Sequence, residues 1–204
     1  MKLQESPKVL GKFDMSTSTR HTVDEYFEVE SASELKHEYV DGEIVEMVGG
    51  STPHCDISGN LYFLLKANFK KPNYRVCCGS SRIRTPLPLA YLIPDAAVIK
   101  GTGDFESTRW DTVQNPAVIF EILSPSTEQF DRGRKFDLYQ TLASLEEYVL
   151  ISQEAVAVER FSRQKEGGWL SERFSGMDAV VQLASLDWEL PLCELYEDVV
   201  FLPK

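Results

Sequence analysis

Pro116-Ala117-Val118-Ile119-Phe120-Glu121-Ile122-Leu123-Ser124-Pro125-Ser126-Thr127 is the stretch that decides the fold. Residues 117–123 read as a buried strand: a short apolar run closed by a Ser-Pro breaker. A carboxylate in the middle of such a run is costly unless it neutralises, pairs or binds a metal. A second carboxylate stands in similar company upstream, in Ala90-Tyr91-Leu92-Ile93-Pro94-Asp95-Ala96-Ala97-Val98-Ile99. Downstream of the breaker, a helix from about residue 128 or 130 to Leu142 is expected, with Phe136, Tyr139 and Leu142 on one side and Lys135 on board.

Working outward, Thr22-Val23-Asp24-Glu25 has the spacing of a capping box and predicts a short helix carrying Tyr26, Phe27 and Val29. Residues 36–48 alternate around Asp41-Gly42, a two-residue hairpin signal. Thr52-Pro53 predicts a helix start, followed by the stripe Ile57, Leu61, Leu64, Leu65 and Phe69. Strands are expected at 74–85, 91–99 and 117–123, with a polar loop at 101–115. After the helix, strands at 147–151 and 156–163 follow, and Glu166-Gly167-Gly168 turns the latter into 169–174 as a C-terminal β-hairpin. From residue 52 to 151 the order is helix, three strands, helix, strand, which is an α/β core with a mixed sheet. Residues 1–20 are polar and read as a flexible arm; 21–204 read as a single domain.

The chain has 204 residues, 43% of them hydrophobic, enough for one substantial core. No apolar run approaches the ~18 residues of a membrane span, and the N-terminus has no apolar leader segment, so a soluble cytoplasmic protein is expected. Four cysteines, Cys55, Cys77, Cys78 and Cys193, form no CxxC pair; they are expected to be reduced and mostly buried. The net charge of −11 argues against nucleic-acid binding over the whole surface but leaves room for a local basic face. Arg75, Arg82 and Arg84 form one basic group; Arg132, Arg134 and Lys135 form another. They are either solvated side chains or the flanks of the carboxylate site.

Asp95, Glu121 and Lys135 are a phosphodiesterase-like set of parts. Two carboxylates on neighbouring strands suit Mg²⁺ or Mn²⁺, which lowers the pKa of a bound water and stabilises charge on a phosphate. A lysine nearby orients the nucleophile or neutralises developing charge. The structural alternative is a buried ion pair with Lys135 as partner. Glu38 is a candidate metal or water ligand from outside the core, or simply a charged strand residue. His54, on the stripe with Ile57 and Leu61, is a half-buried core histidine or a contact to the site. Tyr139, one turn after Lys135, is expected to support the site from behind.

These residues resemble a known family. Pro94-Asp95 followed by Glu121-Ile122-Leu123 resembles the PD-(D/E)xK nuclease superfamily. More closely, five segments resemble the Uma-type family of proposed restriction endonucleases. They are 38–44 (EYVDGEI), 91–95 (YLIPD), 120–127 (FEILSPST), 131–139 (DRGRKFDLY) and 146–151 (EEYVLI). The resemblance spans roughly residues 22–198. It implies a restriction-endonuclease-like fold and a metal-dependent endonuclease acting on DNA, with Asp95 and Glu121 on the metal. The superfamily lysine usually lies two residues after the second acid, where Leu123 stands; the closer family takes it from the next helix, matching Lys135. An aspartate often found near Ser80 is absent, which counts against a second metal. A non-catalytic binding or regulatory module and a hydrolase of small phosphoesters are the alternatives. Arg82, Arg84, Arg132 and Arg134 are the phosphate-contact candidates, and the apolar stretch 186–195 is a candidate homodimer surface.

Overall fold

Thr22 starts the first helix with the expected reciprocal cap: Glu25 N–H donates to Thr22 Oγ1 (3.2 Å) and Thr22 N–H to Glu25 Oε2 (2.7 Å). The computed structural model describes residues 20–47, 49–107 and 109–202. Apart from Arg20, the expected arm lies outside the described residues. Helix α1 (Val23–Ala32) buries Tyr26 and Phe27 and leaves Val29 exposed. Strands β1 (His37–Val40) and β2 (Glu43–Glu46) form the hairpin, and both turn residues, Asp41 and Gly42, take positive φ (49° and 90°), as a type I′ turn demands. Helix α2 (Thr52–Asn68) is capped by Ser51, one residue earlier than expected, and buries Ile57, Leu61, Leu64 and Leu65.

Two expected strands each prove to be two. The segment 74–85 divides into β3 (Tyr74–Cys78) and β4 (Arg82–Thr85); 91–99 divides into β5 (Ala90–Leu92) and β6 (Ala96–Lys100). At both breaks the chain changes sheet. Gly79, at φ +36°, bends the first break, and Pro94, with no N–H for a ladder, marks the second. The loop expected at 101–115 instead contains β7 (Phe105–Glu106) and β8 (Arg109–Val113), a polar hairpin whose burial is confined to Thr112 and Val113.

The next strands are β9 (Val118–Leu123), β10 (Glu147–Ser152), β11 (Ala157–Arg163) and β12 (Trp169–Ser175). One six-stranded sheet runs β2-β1-β5-β4-β8-β7 and the other β12-β11-β10-β9-β6-β3. The second carries the core order: α2, then β3, β6 and β9, then a helical crossover, then β10. The crossover is α3 (Glu128–Phe130), a π-helical segment (Asp131–Lys135) and α4 (Phe136–Gln140). It makes β9 and β10 parallel, while β6 is antiparallel to β9, so the sheet is mixed. A two-stranded hairpin, β13 (Val180–Leu183) with β14 (Trp188–Pro191), and α5 (Leu192–Leu195) complete the chain.

Alternation along β9 separates its two faces. Val118, Phe120 and Ile122 pack with Ile57, Leu61 and Leu65 of α2 and with Leu190, Leu192 and Leu195. Ile119 and Leu123 pack with Ile83, Leu92 and Val113 of the other sheet and with Phe136 and Tyr139 of α4. Glu121 shares this second face, so the strand period drives a carboxylate between the two sheets, beneath the crossover helix. Leu186, Leu190, Leu192 and Leu195 lie inside the chain's own core, so the stretch proposed as a dimer surface presents none of them. Of the cysteines only Cys77 is buried; Cys55 and Cys193 are exposed.

Candidate active site

Glu121 meets its partners on the crossover. Ser124 Oγ accepts the N–H of Thr127 (3.2 Å), and the Thr127 carbonyl accepts the N–H of Asp131 (2.9 Å), so the Ser-Pro-Ser-Thr breaker also seats the helix start. The π-helical turn that follows turns both Asp131 and Lys135 inward. Such turns recur at functional sites. Lys135 Nζ lies 2.9 Å from Glu121 Oε1, 3.0 Å from Glu38 Oε1 and 3.6 Å from Asp131 Oδ1. All four side chains are buried. Tyr139 donates its hydroxyl to Glu121 Oε1 (3.2 Å), and Tyr148 donates to the Asp131 carbonyl (2.9 Å).

Asp95 sits one residue beyond the Ala96–Phe120 pair of β6 and β9, which sets it beside Glu121. Its Oδ2 accepts the N–H of Ile122 (2.6 Å), and its Oδ1 lies 3.3 Å from His54 Nε2. Asp95 and His54 are half-buried, with side chains 21% and 20% exposed. The cluster therefore has a closed half, Glu121 with Lys135, and an open half, Asp95 with His54. Gly50 closes over the histidine: a Cβ there would stand 2.7 Å from His54 Nδ1.

Charge is unbalanced here. Four carboxylates, Glu38, Asp95, Glu121 and Asp131, face one lysine and one histidine. Burial pushes the Glu121 carboxyl well above its ordinary range; Lys135 only partly offsets this, and Asp131, Asp95 and Glu38 add to it. Burial likewise raises Asp131, against the pull of Lys135. For Lys135 burial acts downward, but Glu121, Glu38 and Asp131 outweigh it and hold the ammonium well above the usual lysine range. The hydrogen bond to Asp95 raises His54 against burial. A surplus of hard oxygen donors and negative charge fits a divalent cation of the Mg²⁺ or Mn²⁺ type. Among the described residues no three His, Cys, Asp or Glu side chains form a ready metal-holding group. Asp95 and Glu121 are the two carboxylates of the cluster that could hold such an ion from adjacent strand positions.

The other expected residues are placed as follows. Arg82 is buried and paired with Glu30 and Asp111, and its Nε donates to Tyr26 Oη (3.0 Å). It ties α1 to β4 and β8, and its guanidinium has no free face for a phosphate, which corrects that expectation. Arg84 donates to Gln114 Oε1 (3.2 Å). Arg132 pairs with Glu128 (2.7 Å) and Glu159 (2.6 Å), and Arg134 with Glu43 (3.3 Å); both are exposed. Asp131 was not singled out from sequence, although its position four residues before Lys135 was the available signal.

A family model described as Uma2, "Putative restriction endonuclease", matches residues 23–193. An uncharacterized protein of Synechocystis sp. is 32% identical over 178 residues, covering 87% of this chain and 92% of that protein. A second from the same organism is 30% identical over 170 residues, covering 83% and 96%. The crystal structure of "a putative nuclease belonging to DUF820" from Anabaena variabilis superposes with a TM-score of 0.68 at 19% identity, over 82% of this chain and 93% of that one. That likeness shows the fold, which is restriction-endonuclease-like.

Proposed function

The chain belongs to the Uma2 family, and from that premise we propose that it is a divalent-metal-dependent endonuclease hydrolysing phosphodiester bonds in DNA, with residues 21–204 acting as one unit. One observation carries the reading: Lys135 Nζ stands 2.9 Å from Glu121, and Ile122 N–H holds Asp95 beside the same carboxylate. Asp95 and Glu121 are the residues that hold Mg²⁺ or Mn²⁺. The bound ion supplies an acidified water and charge stabilisation at the phosphate. Lys135, kept cationic by its carboxylate neighbours, stabilises the charge that develops on the scissile group and does not act as a base. Tyr139 fixes the Glu121 oxygen that Lys135 also contacts, so the carboxylate has one orientation. His54 flanks the open carboxylate, where a substrate oxygen approaches.

The test is direct. Purified protein cuts DNA with Mg²⁺ or Mn²⁺ and stops in EDTA, and Asp95→Ala and Glu121→Ala abolish cutting while circular dichroism keeps the native signature. Equal activity in all three proteins sinks the reading. The net charge of −11 favours a second reading, a nuclease-fold module that does not cut. DNA binding with no cleavage under any divalent ion is its signature.

A further inference from the structure

Glu38 belongs to the sheet that holds neither Asp95 nor Glu121, yet its carboxylate touches both Lys135 and the backbone just before Asp95. The backbone ladder between β1 and β5 runs through Val40–Ala90 and Tyr39–Tyr91. Beyond it the side chain of Glu38 takes over: Oε1 accepts the N–H of Ile93 (2.8 Å). Pro94 has no N–H, so Ile93 carries the last backbone donor before Asp95. The same Oε1 lies 3.0 Å from Lys135 Nζ. Glu38 is 5% exposed, and Ile93 only 1%, so water cannot substitute at either contact. A buried N–H left without an acceptor is destabilising enough to let the Pro94 break shift.

We propose that Glu38 is a positioning residue: one carboxylate oxygen pins the backbone that aims Asp95 and holds the ammonium of Lys135 against Glu121. It acts through these neighbours: its contacts are to groups that set the site, the Ile93 N–H and the Lys135 ammonium. This rests on the reading of Asp95, Glu121 and Lys135 as the site.

The two contacts separate by substitution. Glu38→Gln keeps a side-chain carbonyl for Ile93 and loses the charge facing Lys135; Glu38→Ala loses both. Three readouts are taken: Mn²⁺ affinity by electron paramagnetic resonance titration, hydrogen exchange at the Ile93 amide, and DNA turnover at saturating Mn²⁺. In Glu38→Ala, Mn²⁺ affinity falls about 10–100-fold, the range for residues that orient ligands, and Ile93 exchange quickens. Glu38→Gln holds Mn²⁺ affinity within about threefold and keeps Ile93 protected, yet turns over at least about tenfold more slowly. A merely structural role would not separate affinity from turnover in this way. Wild-type affinity together with wild-type Ile93 exchange in Glu38→Ala overturns the backbone role. Wild-type turnover in Glu38→Gln overturns the Lys135 role. If Glu38→Ala does not fold, Glu38→Gln decides, because faster Ile93 exchange or lost Mn²⁺ affinity there contradicts the proposal. A wild-type protein that binds Mn²⁺ without cutting refutes the nuclease reading alone, and the affinity and exchange arms still judge Glu38.

Discussion

Lys135 Nζ lies 2.9 Å from Glu121 Oε1, and both side chains are closed off from solvent. Desolvating two charges costs several kcal/mol per ion, and mutual attraction returns this only with good geometry. Here one ammonium serves three carboxylates, so it is the member the cluster can least lose. Lys135→Met should destabilise the fold by about 3–5 kcal/mol, the range for removing one partner of a buried pair. At roughly 2–4 °C of Tm per kcal/mol for a chain of this size, thermal unfolding resolves it easily. A Tm within a degree or two of wild type means that the carboxylates are already neutral.

Glu121→Gln should act in the opposite direction. The folded-state pKa of Glu121 is raised, so its favourable contribution is full below the unfolded carboxylate value and is lost as pH rises toward the folded one. Glutamine removes that loss, while Glu38 and Asp131 remain for Lys135. In EDTA, the variant should match wild type in acid and become the more stable protein as pH rises from roughly 4.5 toward neutrality. Lys135 does not confuse this window: its own raised pKa gives stability that is full below the unfolded lysine value and lost only at alkaline pH. Parallel Tm profiles for the two proteins would contradict the assignment.

The central strands of the second sheet were legible because they are short and largely apolar. Val118–Leu123 and Glu147–Ser152 declare themselves, and a carboxylate in the first of them is conspicuous. The first sheet was harder to read. An apolar run crossing Ile93-Pro94-Asp95 looks like one strand whether or not the chain changes sheet, because both halves are buried; only Pro94 signalled the break. The β7–β8 hairpin stayed hidden because its strands bury little and so carry no apolar alternation. Arg82 was misjudged for a similar reason. A charged residue in a strand reads as surface, and the carboxylates that enclose it, Glu30 and Asp111, are 52 and 29 positions away.

Arg82→Ala tests that placement. Its side chain is 6% exposed and joins Glu30, Asp111 and Tyr26, and Glu30 is equally enclosed. Truncation leaves a buried carboxylate without its cation, a loss of about 3–5 kcal/mol. Urea denaturation should show the drop in midpoint, while the salt dependence of any DNA binding measured below that midpoint stays at the wild-type value. A stable variant with an altered salt dependence would return Arg82 to the binding surface.

Arg132 and Arg134 are the better phosphate candidates. They precede Lys135 on the π-helical segment, with side chains 38% and 44% exposed, while Lys135 at its end points inward. Their present partners, Glu128 and Glu43, are themselves exposed, with Glu159 on the inner side of Arg132. Exposed pairs of this kind are worth about 0–1 kcal/mol, so exchanging a carboxylate for a phosphate costs little. An arginine–phosphate contact is often bidentate and is among the stronger charge-assisted hydrogen bonds. A net charge of −11 does not forbid this, because association responds to local charge and an ion at Asp95 and Glu121 lowers the repulsion of the backbone. Each phosphate neutralised adds about 0.9 to the slope of log affinity against log salt for duplex DNA. Replacing both arginines with alanine should therefore flatten the slope by roughly 1–2 units while leaving Mn²⁺ binding at the carboxylates unchanged. The measurement is a fluorescence-anisotropy titration of duplex and single-stranded DNA at several salt concentrations, with Arg82→Ala as the control. An unchanged slope removes both residues from the binding surface.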